Sequence, residues 1–598
     1  MWQFRFRVIA QRILEITMMP TRKRTEPAAR NSKQDAAPSV YPHQARSVVV
    51  NRGGIVAASQ TLASQAGAMI LAQGGSAADA AIAANAVMSV TEPMSNGIGG
   101  DLFAIVYSAK TGKLSGLNAS GWAPEGLSVE VLRARGVVGM PEGKHAIHLV
   151  TVPGAVAGWD ALHRKFGKLP FSDLFQTAIL LAQNGVPIAE RSAARWALAA
   201  PQFADRSGFA TTFLTRGKAP KAGDVFVDRD LAKSLRRIAE EGRDGFYKGP
   251  IARAILATSR AEGGTLSRAD MEAFEPEWVD PISTTYHGWR VWELPPNGQG
   301  LAALQMLNIM EHFPLREYGQ NSARAMHLMI EAKKLAYADL AEHVGDPRFS
   351  TIPTARLISK RLGKLRAVEI DAQRAQARVL PSSVARRLNA QGRDTTYLTV
   401  IDKDGNIVSL IQSIYGEFGV GLVPPGTGFV LHNRGALFGF EPGKVNTVAP
   451  RKRPFHTIIP GFMEKGPVKI GFGIMGGFNQ AQAHAQFVSN VVDFGMNIQA
   501  ALEAPRFTKA TFDGCDVMME QGIAERVRGE LTERGHAIEV IEPFNYLMGR
   551  GNAVMSDGRG VHYGGSDPRA DGAAIPEPIA NPSHKIKGTA AKGRSRRS

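Results

Sequence analysis

Apolar and polar positions change period several times along this chain, most clearly two-thirds of the way along. Thr395-Thr396-Tyr397-Leu398-Thr399-Val400 is rich in β-branched and aromatic residues and reads as a strand. Asp402-Lys403-Asp404-Gly405-Asn406 follows with turn residues, and Ile407 to Ile411 is a second apolar strand, so the three predict a hairpin. Lys469-Ile470-Gly471-Phe472-Gly473-Ile474-Met475-Gly476-Gly477-Phe478 runs into a helical stretch from Asn479 to Val492. Earlier, Ala-rich stretches from Ser59 to Val90 and from Ala323 to His343 carry helical periodicity and predict amphipathic helices. The segment Glu92 to Phe103 joins the first of these to a strand, Phe103 to Tyr107. The part before residue 394 reads as mostly helical, and no unit recurs at a fixed period.

Two of these segments carry candidate chemistry. A threonine heading a strand becomes a nucleophile with its own general base if the peptide bond before it is cut, because the freed α-amine can take the hydroxyl proton. The plain alternative is that Thr395-Thr396 only favours a strand. Adjacent glycines at a strand-to-helix turn, Gly476-Gly477, can aim successive backbone amides at an oxyanion. Their plain alternative is a tight turn that needs positive φ.

Composition narrows the class. At 598 residues and 44% hydrophobic, the chain can bury a large core, and no run of roughly 18 apolar residues predicts a membrane span. The basic excess is mostly terminal. Residues 1–46 hold nine Lys/Arg against three acids and 581–598 hold six against none, together +12 of the formal +17. Tails of this composition are expected to be disordered and solvated, and no aromatic-basic pattern points to nucleic acid. Cys515 is the only cysteine, so no intrachain disulfide forms. The histidines show no metal-ligand spacing, so no cofactor is implied. Arg5, Arg7, Arg12 and Glu15 interrupt the apolar N-terminal stretch, which does not read as a signal peptide, and Met18 or Met19 are alternative starts.

In order along the chain, Gly53-Gly54-Ile55-Val56-Ala57, Gly75-Ser76-Ala77-Ala78-Asp79-Ala80 and Gly99-Gly100-Asp101 are followed by Pro153-Gly154 with Trp159 and by Pro295-Pro296. Asp394-Thr395-Thr396, Arg453-Pro454, Gly476-Gly477 and Ala504-Pro505-Arg506 complete the series. This series resembles the gamma-glutamyltranspeptidase family of N-terminal-nucleophile hydrolases, over about Ser47 to Pro568. The resemblance implies an α+β fold, a four-layer αββα sandwich. It also implies self-cleavage between Asp394 and Thr395 into a large fragment, 47–394, and a small one, 395–576, which stay associated. A basic tail, 577–598, follows. Thr395 would form an acyl-enzyme, Gly476 and Gly477 would stabilise the oxyanion, and Ser413 would orient the nucleophile. The partner would be a small-molecule amide or gamma-glutamyl substrate. Cytoplasmic residence is the expectation, with the periplasm as the alternative because familiar members are often exported.

Where members acting on glutathione read the α-carboxylate and α-amine of the donor, this chain has Ser120, His456-Thr457, Tyr415 and Leu437, with Asn433-Arg434 in place of Asn-Gln. A charged head group left without partners costs several kcal/mol. The aromatic and basic set Tyr415, Phe418, Arg434, Phe455 and His456 instead suits an acyl group with a carboxylate and no ammonium, such as a dicarboxylic monoamide. In this the chain is similar to the cephalosporin acylase and oxamate amidohydrolase branches. The short segment from Leu437 to Pro450 implies a more open pocket. A surface ion pair is the plain alternative for Arg434, and a satisfied loop histidine that for His456. Standard glutathione hydrolysis or gamma-glutamyl transfer, and a non-catalytic binding relative, are the alternatives for the whole protein.

Overall fold

A computed structural model describes residues 44–380 and 394–579. The segment 381–393 and most of the two tails lie outside the described residues, including those expected to be disordered. The inner ends of both tails are tied to the body. The Arg46 N–H donates to Glu503 Oε1 at 3.2 Å, and Glu577 Oε2 accepts from the Gly54 N–H at 2.7 Å.

Two seven-stranded antiparallel sheets dominate the described residues. In spatial order the first holds Ala573–Pro576, Ile55–Ala58, Asp394–Ile401, Ile407–Tyr415, Asp101–Ser108, Lys113–Ala119 and Glu277–Val279. The second holds Val49–Asn51, His562–Ser566, Gly551–Ser556, Val468–Ile474, Gly461–Lys465, Trp289–Glu293 and Ile282–Tyr286. Ile55, Phe103, Tyr397, Ile401 and Ile411 of the first sheet pack between the sheets with Ile458, Phe462, Met475 and Val554. Thr61–Ala72, Ala77–Thr91 and Ala155–Phe166 cover the outer face of the first sheet through Val56, Leu398, Val400 and Leu410. Gly300–Met310, Ala323–His343 and Asn479–Val492 cover the second through Met463, Ile470 and Phe472. The result is the αββα sandwich. Both faces of each sheet are covered, so central strands such as Ile407–Tyr415 are buried throughout and show apolar runs instead of alternation.

The hairpin forms as predicted, with Asp402 Oδ1 accepting from the Asp404 and Asn406 N–H groups, each at 3.0 Å. The predicted helix from Ser59 to Val90 is two helices, broken at Gly74, whose φ of 91° a helix cannot carry. Ser76 restarts the chain with a capping box: its Oγ accepts from Asp79 N–H at 3.1 Å, and Asp79 Oδ2 from Ser76 N–H at 2.9 Å. Ala77–Thr91 is buried on every side, so it is not amphipathic; its small side chains let it sit between the sheet and neighbouring helices.

Candidate active site

Thr395 lies near the head of the strand Asp394–Ile401, where Asp394 pairs with Tyr415 and Thr396 with Gln412. Two residues, Ser413 and Ile414, thus face the single Thr395. Such a bulge re-aims side chains. Here Thr395 Oγ1 donates to Ser413 Oγ at 3.2 Å, and Ser413 Oγ also accepts from the Tyr415 N–H at 2.8 Å. Tyr415 has a φ of 75° and Phe418 one of 53°, uncommon for large side chains and concentrated where the strand leaves the sheet. The Gly99-Gly100 turn packs behind: a Cβ on Gly100 would stand 2.5 Å from the Ser413 carbonyl oxygen, so only glycine fits.

The glycine turn follows the strand Val468–Ile474 in the facing sheet. Gly476 and Gly477 have φ of 136° and 57°, so both need glycine. Among the described residues neither amide donates a hydrogen bond within the protein. Gln299 Nε2 donates to the Gly477 carbonyl at 2.8 Å and to the Thr457 carbonyl, fastening the turn to the loop after Arg453-Pro454.

Arg434, Thr457, His456 and Tyr415 come together as one cluster around Asp101. Arg434 is fully buried, which excludes the surface ion pair. Its Nη1 donates to Thr457 Oγ1 at 2.9 Å, its Nε lies 3.9 Å from Asp101 Oδ2, and its guanidinium carbon sits 4.7 Å from the Tyr415 ring centroid. Among the described residues Nε and Nη2 find no hydrogen-bond partner. Burial lowers the Arg434 pKa to about 10, partly offset by Asp101, so the group is charged at neutral pH. Asp101 is spoken for. Oδ1 accepts from the Gly121 and Gly154 N–H groups at 3.0 and 3.2 Å, and Oδ2 from His456 Nε2 at 3.1 Å. Burial works to raise its carboxyl, but His432, His456 and Arg434 outweigh that and hold it below the usual range.

Burial and the Arg434 charge push His456 down to about 3. It is a neutral imidazole whose Nε2–H goes to Asp101 and whose Nδ1 accepts from the Ile458 N–H at 3.3 Å. Asn433 Oδ1 accepts from the Gly416 N–H at 2.8 Å, tying down the chain after the strand that pairs with Thr395's. Ser120 donates to Asn118 Oδ1 at 2.8 Å, and Leu437 is buried in the short turn Arg434–Leu437. Phe455 stacks on Phe478 at 5.6 Å, while Phe418 packs among Trp196, Phe209 and Phe213, away from this cluster's polar groups.

Sequence reasoning missed Arg550, Glu92 and Gln299 as site groups. Arg550 reaches the Thr395 carbonyl only because strand pairing across the second sheet carries it there, a relation no spacing discloses. It also missed a cluster able to hold a metal, His327, Glu331 and His536, whose ligand atoms lie within 4.8 Å of one another. Two of them share a face of Ala323–His343, and the third arrives 209 residues later. Their own partners close this set: His327 Nδ1 meets His536 Nε2 at 2.8 Å, and Glu331 pairs with buried Lys334 at 2.7 Å. Among the described residues no helix is long and apolar enough to cross a membrane.

A gamma-glutamyltranspeptidase family model matches residues 63–577. The glutathione hydrolase-like YwrD proenzyme of Bacillus subtilis is 36% identical, over 88% of this chain and 99% of its own. The oxamate amidohydrolase proenzyme of Klebsiella pneumoniae is 32% identical, over 88% and 98%. The crystal structure of cephalosporin acylase from Bacillus halodurans superposes with a TM-score of 0.83 at 40% identity, covering 91% of this chain and 99% of that one. The ordered motifs, the αββα sandwich and these matches agree: the chain belongs to the gamma-glutamyltranspeptidase family.

Proposed function

We propose that this member of the family is a self-processing amidohydrolase or acyltransferase. Its donor, in this reading, carries a carboxylate on the acyl group and no α-amine. Cleavage between Asp394 and Thr395 frees the α-amine of Thr395, which then serves as base for Oγ1. Oγ1 attacks the amide carbonyl, the Gly476 and Gly477 amides take up the oxyanion, and the amine leaves. Water or an amine acceptor releases the acyl group.

The observation that carries the specificity is Arg434. A buried, charged guanidinium with Nε and Nη2 unbonded offers the edge that grips a carboxylate through two parallel hydrogen bonds. Asp101 already accepts from His456 and two backbone amides and faces Arg434, so most of its acceptor capacity and charge is engaged before any ammonium group arrives. Its partial neutralisation of Arg434, at 3.9 Å, leaves the unbonded edge as the feature to be satisfied. The names of the relatives include both glutathione hydrolase and oxamate amidohydrolase, so the donor has to be read from this chain's own residues.

Removing one partner from a buried charge-assisted pair costs about 2–5 kcal/mol. Arg434→Ala is therefore expected to lower kcat/KM for short dicarboxylic monoamides at least about tenfold while self-cleavage proceeds. Glutathione should be a poor donor for the wild type. Efficient glutathione turnover, or unchanged kinetics in Arg434→Ala, overturns the specificity.

A further inference from the structure

Arg550 immediately precedes the strand Gly551–Ser556, and the pairing of Gly551 with Ile474 sets it beside Met475, just before the glycine turn. From there its side chain reaches between the sheets. Nη2 donates to the Thr395 carbonyl at 2.9 Å and Nε to the Met475 sulfur at 3.2 Å, and the residue is buried. Nη1 lies 4.0 Å from Glu92 Oε1, at the C-terminal end of Ala77–Thr91. Glu92 is buried as well, and its other oxygen accepts from Ser59 Oγ at 2.5 Å. Two further charged groups act on this place. Arg195, on Glu190–Ala199, donates to Ser95 Oγ at 2.9 Å and lies 3.7 Å from Glu417. Asp571, ahead of Ala573–Pro576, accepts from the Ser192 N–H at 2.8 Å. Burial holds the Glu92 carboxyl above its usual range, and Arg550, the Ser59 hydrogen bond and Arg195 offset only part of that rise.

A free α-amine ordinarily titrates at about 7.7–8.0, so at neutral pH most of it carries a proton it must lose before acting as a base. Covalent geometry keeps the nitrogen and carbonyl oxygen of one residue within about 3.6 Å, so the guanidinium stands within roughly 6.5 Å of that amine. A cation this close, in a site shielded from water, disfavours the ammonium form. We propose that Arg550 is a positioning residue for the nucleophile: it pins the Thr395 carbonyl, and its charge holds the neighbouring α-amine as free base, with Glu92 as the buried counter-ion that moderates this charge. The inference rests on Thr395 being the N-terminal nucleophile. In acylation Oγ1 bonds to the acyl carbon, its proton passes to the amine and on to the departing nitrogen, and the C–N bond breaks.

The acid limb of the kcat/KM profile of the processed protein tests this, since that limb reports ionisation in the free enzyme. Arg550→Met should raise the limb by about one pH unit and lower the plateau about tenfold or more. Arg550→Lys keeps the charge, so it should lower the plateau with the limb in place. Glu92→Gln should move the limb the opposite way, to lower pH. Loosened packing alone would lower plateaus without opposed shifts. A wild-type limb in both Arg550→Met and Glu92→Gln overturns the proposal. Where Arg550→Met is not processed, Glu92→Gln decides alone: a downward shift supports the proposal, and none overturns it. A Thr395→Ala variant that still turns over donor overturns the underlying nucleophile assignment instead.

Discussion

Ser413 meets Thr395 because the bulge sets two residues of one strand against one of the other, and its Oγ is held in turn by the Tyr415 N–H. Ser413→Ala leaves the Thr395 hydroxyl without this acceptor, and misplacement of a reacting atom by about 1 Å can cost on the order of 100-fold. Such a loss in kcat/KM is expected, with Ser413→Thr retaining most activity; Ser413→Ala within twofold of wild type would refute the orienting role. His456 contributes to stability in a pH-dependent way. Its folded pKa, about 3, lies below the ordinary 6.5, so as pH falls below 6.5 the unfolded chain takes up a proton that the folded one refuses. Stability should therefore fall from pH 6 to pH 4, by up to about 1.4 kcal/mol per pH unit for this one proton. Asp101 acts in the same direction only below its ordinary 3.8. His456→Gln should flatten the dependence of denaturation midpoint on pH between 6 and 4, and an unchanged slope would refute a buried neutral imidazole. The places of Thr395 near the head of a strand and of the glycine pair at a strand-to-helix turn were legible in the sequence because those patterns are local. Arg434 was only half legible, since its burial depends on Asp101 and Thr457 arriving from elsewhere.

At the scale of elements, glycine motifs mark close approach more often than chemistry. Gly100 lets the turn lie against the Ser413 carbonyl, so Gly100→Ala must displace that strand and disturb the contact between Ser413 and Thr395. Overpacking of this kind typically costs about 1–3 kcal/mol, and here the displaced strand is the one carrying Ser413. Both melting temperature and kcat/KM should fall. Ser76→Ala is the contrast: it removes a capping box on Ala77–Thr91, at a cost of about 1 kcal/mol, and should leave the kinetics of the folded protein unchanged. Loss of activity in Ser76→Ala without loss of stability would show that this cap reaches the site. The hairpin was readable because a five-residue turn and two apolar runs suffice to specify it. The break at Gly74 was not, because alanine-rich sequence on both sides masks the change of direction, and burial on all sides of Ala77–Thr91 erases the polar stripe that would have dated its boundaries.

Across the whole molecule, the expected cut at Thr395 divides neither sheet. The strand Asp394–Ile401, which the small fragment would carry from Thr395 on, pairs with Ile55–Ala58 from the large one, and Ile407–Tyr415 pairs with Asp101–Ser108. In the facing sheet Gly461–Lys465 pairs with Trp289–Glu293, and Val49–Asn51 with His562–Ser566. This interleaving of strands distant in sequence is what local patterns could not supply; the order of motifs implied the architecture only through the family. It has a direct consequence for processing. Each fragment alone would expose strand edges and the apolar faces that now pack between the sheets, including Phe103, Ile105, Ile411 and Phe462. The cut should therefore leave one particle. Mass spectrometry should find a fragment beginning at Thr395, native size exclusion should elute both fragments together, and heating should unfold them in one transition. The small fragment expressed alone should be insoluble or unfolded. Fragments that separate on a native column, or a small fragment that folds by itself, would show that the interleaved sheets do not hold the processed protein together.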